Sequence, residues 1–435
     1  MEPVKSDNEI ELQKQLLLFG KFVPHKILSL IRKQNVMDVQ VGDQVELKLT
    51  ILFLDIRNFT SFSETLTPHD NFAFINNFIK QLEPVIIAHH GIVDKYIGDA
   101  IMVLFPTSAD DAVRCSIEIQ RQVDEYNLGR NRAGYHPIRI GIGLNSGISI
   151  LGTIGSENKM EGTVISDAVN LASRLESLTK EYGSKLLISE HTLYSLSDIS
   201  SYQLRFIDRT LVKGKKHPQS IYDIFDNDEP GLKQRKIDNL KYFEDAVAHY
   251  HYKDIDTAFL LLEKYLIDVP EDQAARLYYE RCNMYRQNGH HEGALELSEQ
   301  IEWSIDYDIG VSAVDVQHRN LYRNVIKLSH CVDYDDGQDR IICIVHFIDK
   351  YVKEHFTTEE AIMQKYNYPF LQHQREQHAQ FFRVFELLKK EITDKDLSRY
   401  YLKFRVQLLL IDWLINHTQR EDRHFGRYLR FNNLL

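Results

Sequence analysis

Two hydrophobic rhythms divide the chain. Residues 9–34 repeat apolar side chains at Leu12, Leu16, Leu17, Val23, Ile27 and Ile31, the spacing of a helix that buries one face. The run "LTILFLDI" (49–56) is instead continuously β-branched and aromatic, and "IVDKYIGDAIMVLF" (92–105) predicts two short strands around a Gly-Asp turn. Helical spacing returns at 70–90 and 109–127. "IRIGIGLNSG" (138–147) predicts a further strand, followed by a helix over 166–182 and strands near 186–189 and 203–212. Alternating strands and helices imply an α/β or α+β domain over 44–226, preceded by a helical lead-in, 1–43.

The acidic, Pro- and Gly-containing "DNDEPG" (226–231) marks a boundary, and the pattern beyond it is helical throughout. Over 227–300, Phe243, Ala246 and Tyr250, then Ala258, Leu262 and Tyr265, suggest helix pairs of tetratricopeptide type, closed by Pro270. From 301 to 435, four long helical patterns (316–331, 338–366, 371–392 and 396–425) with short links predict a four-helix bundle.

Composition adds exclusions. The 435 residues are 43% hydrophobic and 26% charged, as in ordinary globular proteins, and a net charge of -11 gives no general attraction to nucleic acid or to an anionic membrane. No segment reaches the roughly 18 apolar residues of a membrane span, and the first residues lack a signal-peptide cleavage pattern, so a soluble, cytoplasmic protein is expected. Cys115, Cys282, Cys331 and Cys343 form no CxxC pair and are expected to be buried, reduced thiols.

"FLDIRNFT" ends an apolar strand on Asp55, and "KYIGDA" sets Asp99 in a tight turn. Two carboxylates at strand ends can meet and hold two Mg²⁺ ions on a triphosphate, although a surface turn also accounts for either aspartate alone. Taken together, "LFLDIRNFT", "DKYIGDAIMVLF", "EGTVISDAVNLASRLE" and "LVKGKKHPQSIYDI" resemble the class III nucleotide cyclases, in that order, over most of 44–226. The resemblance implies a ferredoxin-like α+β core and two Mg²⁺ or Mn²⁺ ions on Asp55 and Asp99. It implies that the backbone of Ile56, Arg57, Asn58 and Phe59 cradles the phosphates. Asn58 stands where many relatives have glycine, and asparagine tolerates unusual backbone angles. Lys95 and Thr163 match the purine-selecting pair. Lysine can donate to an adenine ring nitrogen and threonine accept from the exocyclic amine, so ATP is the expected substrate; guanylate cyclases usually carry a glutamate in place of Lys95. Asn170 and Arg174, four apart on a helix, match the pair that orients ribose and stabilises the transferring phosphoryl group. Lys213 matches the lysine on the terminal phosphates, with Lys215 the competing choice. One catalytic domain per chain implies a homodimer with two equivalent sites, which the N-terminal helix would help to pair.

In the C-terminal bundle, "WSIDYDIGVSAVDVQHRNLY", "HFTTEEAIM", "YPFLQHQREQHAQFF" and "WLINHTQRED" each bring histidine or carboxylate to a different helix. A lone helical histidine is usually structural, but four helices doing so point to a metal pair in a bundle core. This set resembles the bacterial hemerythrins, including Trp303, Trp413 and the Tyr368-Pro369 pair. The resemblance implies a non-haem diiron centre in which His318 and His355 serve one iron, Glu359 and Asp422 bridge, and His378 and His417 serve the other. The third histidine of the second iron should lie four residues before His378, where this chain has Gln374. His373 stands five before His378, a rotation of about 140° against about 40° for four. Spacing does not exclude it, because His417 and Asp422 are also five apart. The register favours Gln374 at the ligand position.

The fusion suggests an adenylate cyclase regulated by O₂ or redox state through the bundle. Competing readings are an iron- or O₂-binding protein dimerised by an inactive cyclase domain, and a cyclase that uses GTP.

Overall fold

The computed structural model describes residues 25–33, 35–156, 159–210, 218–289, 307–334, 338–393 and 398–434. The chain divides into two compact units, residues 1–196 with 221–228, and residues 197–220 with 229–435. Most of the N-terminal lead-in, Lys213, Lys215 and all of 290–306, Trp303 included, lie outside the described residues.

The first unit is built on a mixed sheet ordered β2-β3-β1-β4-β6-β8, with β5 pairing β4 off that path. Its strands are β1 (Gln44–Ile56), β2 (Ile92–Ile97), β3 (Ala100–Phe105), β4 (Ile140–Ser156), β5 (Lys159–Ile165), β6 (Leu186–Ser189) and β8 (Gln219–Ile224). β1 lies antiparallel between β3 and β4, and Leu49, Ile51, Leu52 and Leu54 are buried because helices cover both faces of the sheet. Gly98, at φ 65°, makes the turn between β2 and β3 that presents Asp99. β1 and β4 run longer than the apolar runs suggested, and β5 was not expected. It is largely exposed, so "KMEGTVI" shows no apolar period to betray a strand.

Helix Asp167–Tyr182 starts on Ser166, whose side chain accepts the Ala168 N–H, and ends on Gly183 in the left-handed region. It buries Ala168, Leu171, Ala172 and Leu175. It lies so close to β4 that a Cβ at Gly143 would stand 2.2 Å from the Glu176 nitrogen. Ile27 and Ile31 of the lead-in pack in the apolar core with Leu49, Ile51 and Phe53 rather than facing outward.

In the second unit, helices Leu240–His251, Ile255–Asp268 and Gln273–Asn288 pack each on the next and bury Phe243, Tyr250, Leu262, Tyr265 and Tyr278. Strand β7 (Leu204–Thr210) belongs to this unit. The bundle helices are Ser312–Tyr334, Gln338–Lys365, Leu371–Thr393 and a last helix spanning 399–431. That last helix contains two π-helical stretches, Gln407–Asp412 and Thr418–Asp422, on either side of the α-helical turn Trp413–His417. No helix among the described residues is long and apolar enough to cross a membrane. Three cysteines are buried as expected, whereas Cys343 is exposed.

Candidate functional site

In the first unit, Asp55 near the end of β1 and Asp99 in the β2–β3 turn lie beside one another. Burial, with Asp55 beside it, pushes the Asp99 carboxyl up to about 7, and Asp55 Oδ1 is buried without a hydrogen-bond partner among the described residues. Two carboxylates held together with an orphaned oxygen are a donor set suited to hard divalent cations. Glu176, which the sequence reading missed, is also pushed up to about 7, by burial first and then by Asp55. It sits two residues past Arg174, and its position on the sheet-facing side of the helix follows only from the close approach at Gly143.

Asn58 adopts φ 58°, ψ 29° and opens the short helix Phe59–Ser63. The Arg57 side chain turns inward and donates to the carbonyls of Ile140, Thr179 (3.0 Å) and Ser184, which fixes the backbone of 56–59 from behind. On β2, Lys95 Nζ donates to Thr163 Oγ1 on β5 at 3.2 Å, and it lies 3.4 Å from Asp94 and 3.7 Å from Glu161. A cationic donor and a hydroxyl acceptor thus stand side by side. Asn170 and Arg174 are exposed on the face of their helix opposite its buried side.

In the bundle, His318, His355, Glu359, Gln374, His378, His417 and Asp422 meet in the core, each 4% exposed or less. Their donor atoms form two overlapping trios, Glu359 with His378 and His417, and His318 with Glu359 and Asp422, with Glu359 common to both. His378 Nε2 and His417 Nε2 lie 3.3 Å apart, and Asp422 lies 3.2 Å from both His318 and His417. His355 stands beside His318, ring centroids 4.6 Å apart, and among the described residues neither its buried Nε2 nor Glu359 Oε1 has a hydrogen-bond partner. Converging imidazoles and carboxylates with orphaned buried donors fit a pair of transition-metal ions bridged by carboxylate.

Gln374 Nε2 donates to Asp422 Oδ1 at 2.6 Å and lies 3.0 Å from His417 Nε2, so the amide occupies a place among the ligands. His373 turns away to Glu421, 3.1 Å distant. The last helix explains why the same spacing acts differently on the two elements. Thr418–Asp422 is π-helical, and in a π turn residues five apart stack on one face, which aligns His417 with Asp422. Leu371–Thr393 is regular α-helix, in which residues four apart, Gln374 and His378, share the face.

A supporting ring went unread in the sequence. His378 Nδ1 lies 2.8 Å from Glu360 Oε1, and His355 Nδ1 lies 3.2 Å from Gln317 Oε1, contacts that fix ring orientation. Burial alone would lower the His378 pKa, but Glu359 and Glu360 hold it above the ordinary value. Phe356 stacks on His378 at 3.6 Å and Trp413 on His417 at 4.4 Å between ring centroids, which adds aromatic walls to the site.

Residues 41–225 match the adenylate and guanylate cyclase catalytic domain, and residues 309–429 match the hemerythrin HHE cation binding domain. This chain is a cyclase domain fused to a hemerythrin domain. Its cyclase domain is similar to that of an adenylate cyclase from Anabaena cylindrica, 41% identical over 220 residues, covering 49% of this chain and 44% of the relative. A terminal-differentiation specific adenylate cyclase from Dictyostelium discoideum is 34% identical over 271 residues, covering 61% of this chain and 13% of that one. Among solved structures the adenylyl cyclase CyaB from P. aeruginosa is 30% identical with a TM-score of 0.39, covering 43% of this chain and 97% of that one. The chain spans less than half the length of both curated relatives.

Proposed function

We propose that the protein is an adenylate cyclase that converts ATP to cyclic AMP and pyrophosphate at a homodimer interface, regulated by O₂ or redox state through its hemerythrin domain. The observation that carries the enzyme reading is the coexistence of two prepared groups in one domain, Asp55 with Asp99 and Lys95 with Thr163. Two Mg²⁺ or Mn²⁺ ions on the aspartates would neutralise the triphosphate and acidify the attacking ribose hydroxyl. The chain's own residues do the rest. The Lys95 ammonium and the Thr163 hydroxyl hold the adenine edge, the backbone of Ile56 to Phe59 and Lys213 hold phosphates, Asn170 orients ribose, and Arg174 stabilises charge on the phosphoryl group. The exposed apolar residues Ile150 and Ile154 on β4 and Met160 and Ile165 on β5 support pairing with a second copy. Assay of purified protein with ATP and with GTP, each with Mg²⁺ and with Mn²⁺, tests the reading; no cyclic nucleotide from either substrate refutes it.

The base-selecting pair gives a sharper expectation. Lys95→Glu should lower kcat/KM for ATP by roughly 10²-fold and shift the ATP-to-GTP ratio towards GTP, because a carboxylate meets the adenine edge with an acceptor where a donor is needed. An unchanged ratio would show that Lys95 does not read the base.

In the hemerythrin domain, His318, His355, Glu359, His378, His417 and Asp422 would hold two iron ions, which supply redox chemistry and an affinity for O₂. Gln374 leaves the His378–His417 side one imidazole short. Gln374→His should therefore slow iron loss to a chelator by on the order of tenfold, followed by iron content per chain against time. Equal loss rates would show that the amide does not mark a missing ligand.

A further inference from the structure

Strand β7 carries three charged residues that are almost fully buried: Arg205 at 1% exposure, Asp208 at 1% and Arg209 at 7%. Buried charges are tolerated where partners meet them, and within the second unit each does. Arg205 forks onto Asp272, donating to Oδ1 at 3.1 Å and also to Oδ2. Asp208 accepts from Arg281 at 2.8 Å, with His251 Nε2 at 3.7 Å. These two pairs fix the strand to the helices of 240–288. The third reaches elsewhere: Arg209 Nη2 donates to Asp412 Oδ2 at 2.9 Å, and Asp412 also accepts from Gln407 Nε2 at 2.8 Å.

Gln407 and Asp412 bound the first π stretch of the helix that carries His417 and Asp422. A second contact comes from the start of β8. Gln219 Nε2 donates to Asn416 Oδ1 at 3.1 Å, and Gln219 Oε1 accepts from Arg420 Nη2 at 3.1 Å. Asn416 precedes His417, and Arg420 lies between His417 and Asp422. Within the second unit, β7 and the first residue of β8 are therefore tied to one helix at points on both sides of a metal-ligand position. β8 continues from Gln219 into Ile221, Tyr222 and Asp223, which pair with β6 in the sheet. π stretches are places where a helix can change register at small cost, and a ligand that favours one register moves whatever is tied to it.

We propose that the Arg209–Asp412 pair, together with Gln219 on Asn416 and Arg420, is the connection through which the state of the metal centre reaches the cyclase sheet. This rests on the regulatory reading above and adds its path.

The test uses the full-length, iron-loaded protein in wild type, in the double variant R209M/D412L, which removes both charges of the buried pair, and in Gln219→Ala. Cyclic AMP formation is measured with the reduced protein with and without O₂. The O₂ half-saturation of the metal centre is read optically with and without a non-hydrolysable ATP analogue and Mg²⁺. Coupling is reciprocal for binding, so the analogue should shift the wild-type half-saturation several-fold, roughly fivefold or more. In the double variant that shift and the O₂ dependence of the rate should fall to one. Iron per chain and the optical spectrum should stay those of the wild type. Gln219→Ala, a milder change, should reduce both effects, and it decides the matter if the double variant does not fold. Wild-type responses retained in every variant that folds overturn the path while leaving the sensor reading intact. A wild type whose rate ignores O₂ and whose metal centre ignores the analogue overturns both.

Discussion

Asp55→Ala is expected to lower cyclic AMP formation by roughly 10³-fold or more, the effect of losing several kcal/mol of transition-state stabilisation by the divalent cations. Asp55 is half-buried near the end of a strand whose neighbouring positions, Leu54 and Ile56, are both buried, so removing its carboxyl leaves no side chain of the core displaced. It also relieves a repulsion. Burial and Asp55 together push Asp99 up to about 7, the mark of two carboxylates held close without a counter-charge. Removing one of them should leave the melting temperature unchanged or raised in protein free of divalent cations. Activity falling while stability holds separates a metal-binding role from a structural one, and both are read on the same preparation by cyclic AMP assay and thermal melt. A variant that works at the wild-type rate would end the enzyme reading as built on this aspartate.

Glu359→Ala should empty both metal positions, because Glu359 belongs to both trios of donor atoms. Of the histidines in these trios, His318 belongs to one and His378 and His417 to the other, so removing any of them should leave part of the metal behind. Without Glu359 the chain loses the stabilisation that bound metal gives the folded state, about 4 kcal/mol for an ion present at 1,000 times its Kd. The metal-free forms should differ far less, since in the absence of iron Glu359 is a buried carboxylate beside Asp422, and burial raises its pKa. His373→Ala is the matched control: its ring pairs with Glu421, and iron content should be unaffected. Iron per chain with thermal melts of loaded and stripped protein checks all of this. Full iron retention in Glu359→Ala would show that the shared-ligand arrangement is wrong.

Much of this was legible in the sequence because the information is local. The apolar run ending on Asp55, the Gly-Asp turn at 98–99 and the helix that places Asn170 four residues before Arg174 each follow from a short pattern. Arg57 was legible only by position. That its guanidinium holds the carbonyls of Ile140, Thr179 and Ser184 depends on elements far along the chain. Glu360 beside Glu359, and Gln317 beside His318, read as solvated helix positions until packing aims them at His378 and His355. The buried charges of β7 likewise look like an ordinary polar strand until Asp272, Arg281 and Asp412 arrive from segments with no sequence proximity.

The sequence by itself determined which chemistry-bearing residues each domain owns, and which elements carry them. Register pointed to His378 and Gln374, but spacing alone could not exclude His373 of "HQREQH", since a spacing of five served both His373–His378 and His417–Asp422. Tertiary structure decided that. A π turn depends on how the last helix packs and bonds within its bundle, and it puts His417 and Asp422 on one face, while the regular helix Leu371–Thr393 turns His373 away and leaves Gln374 among the ligands.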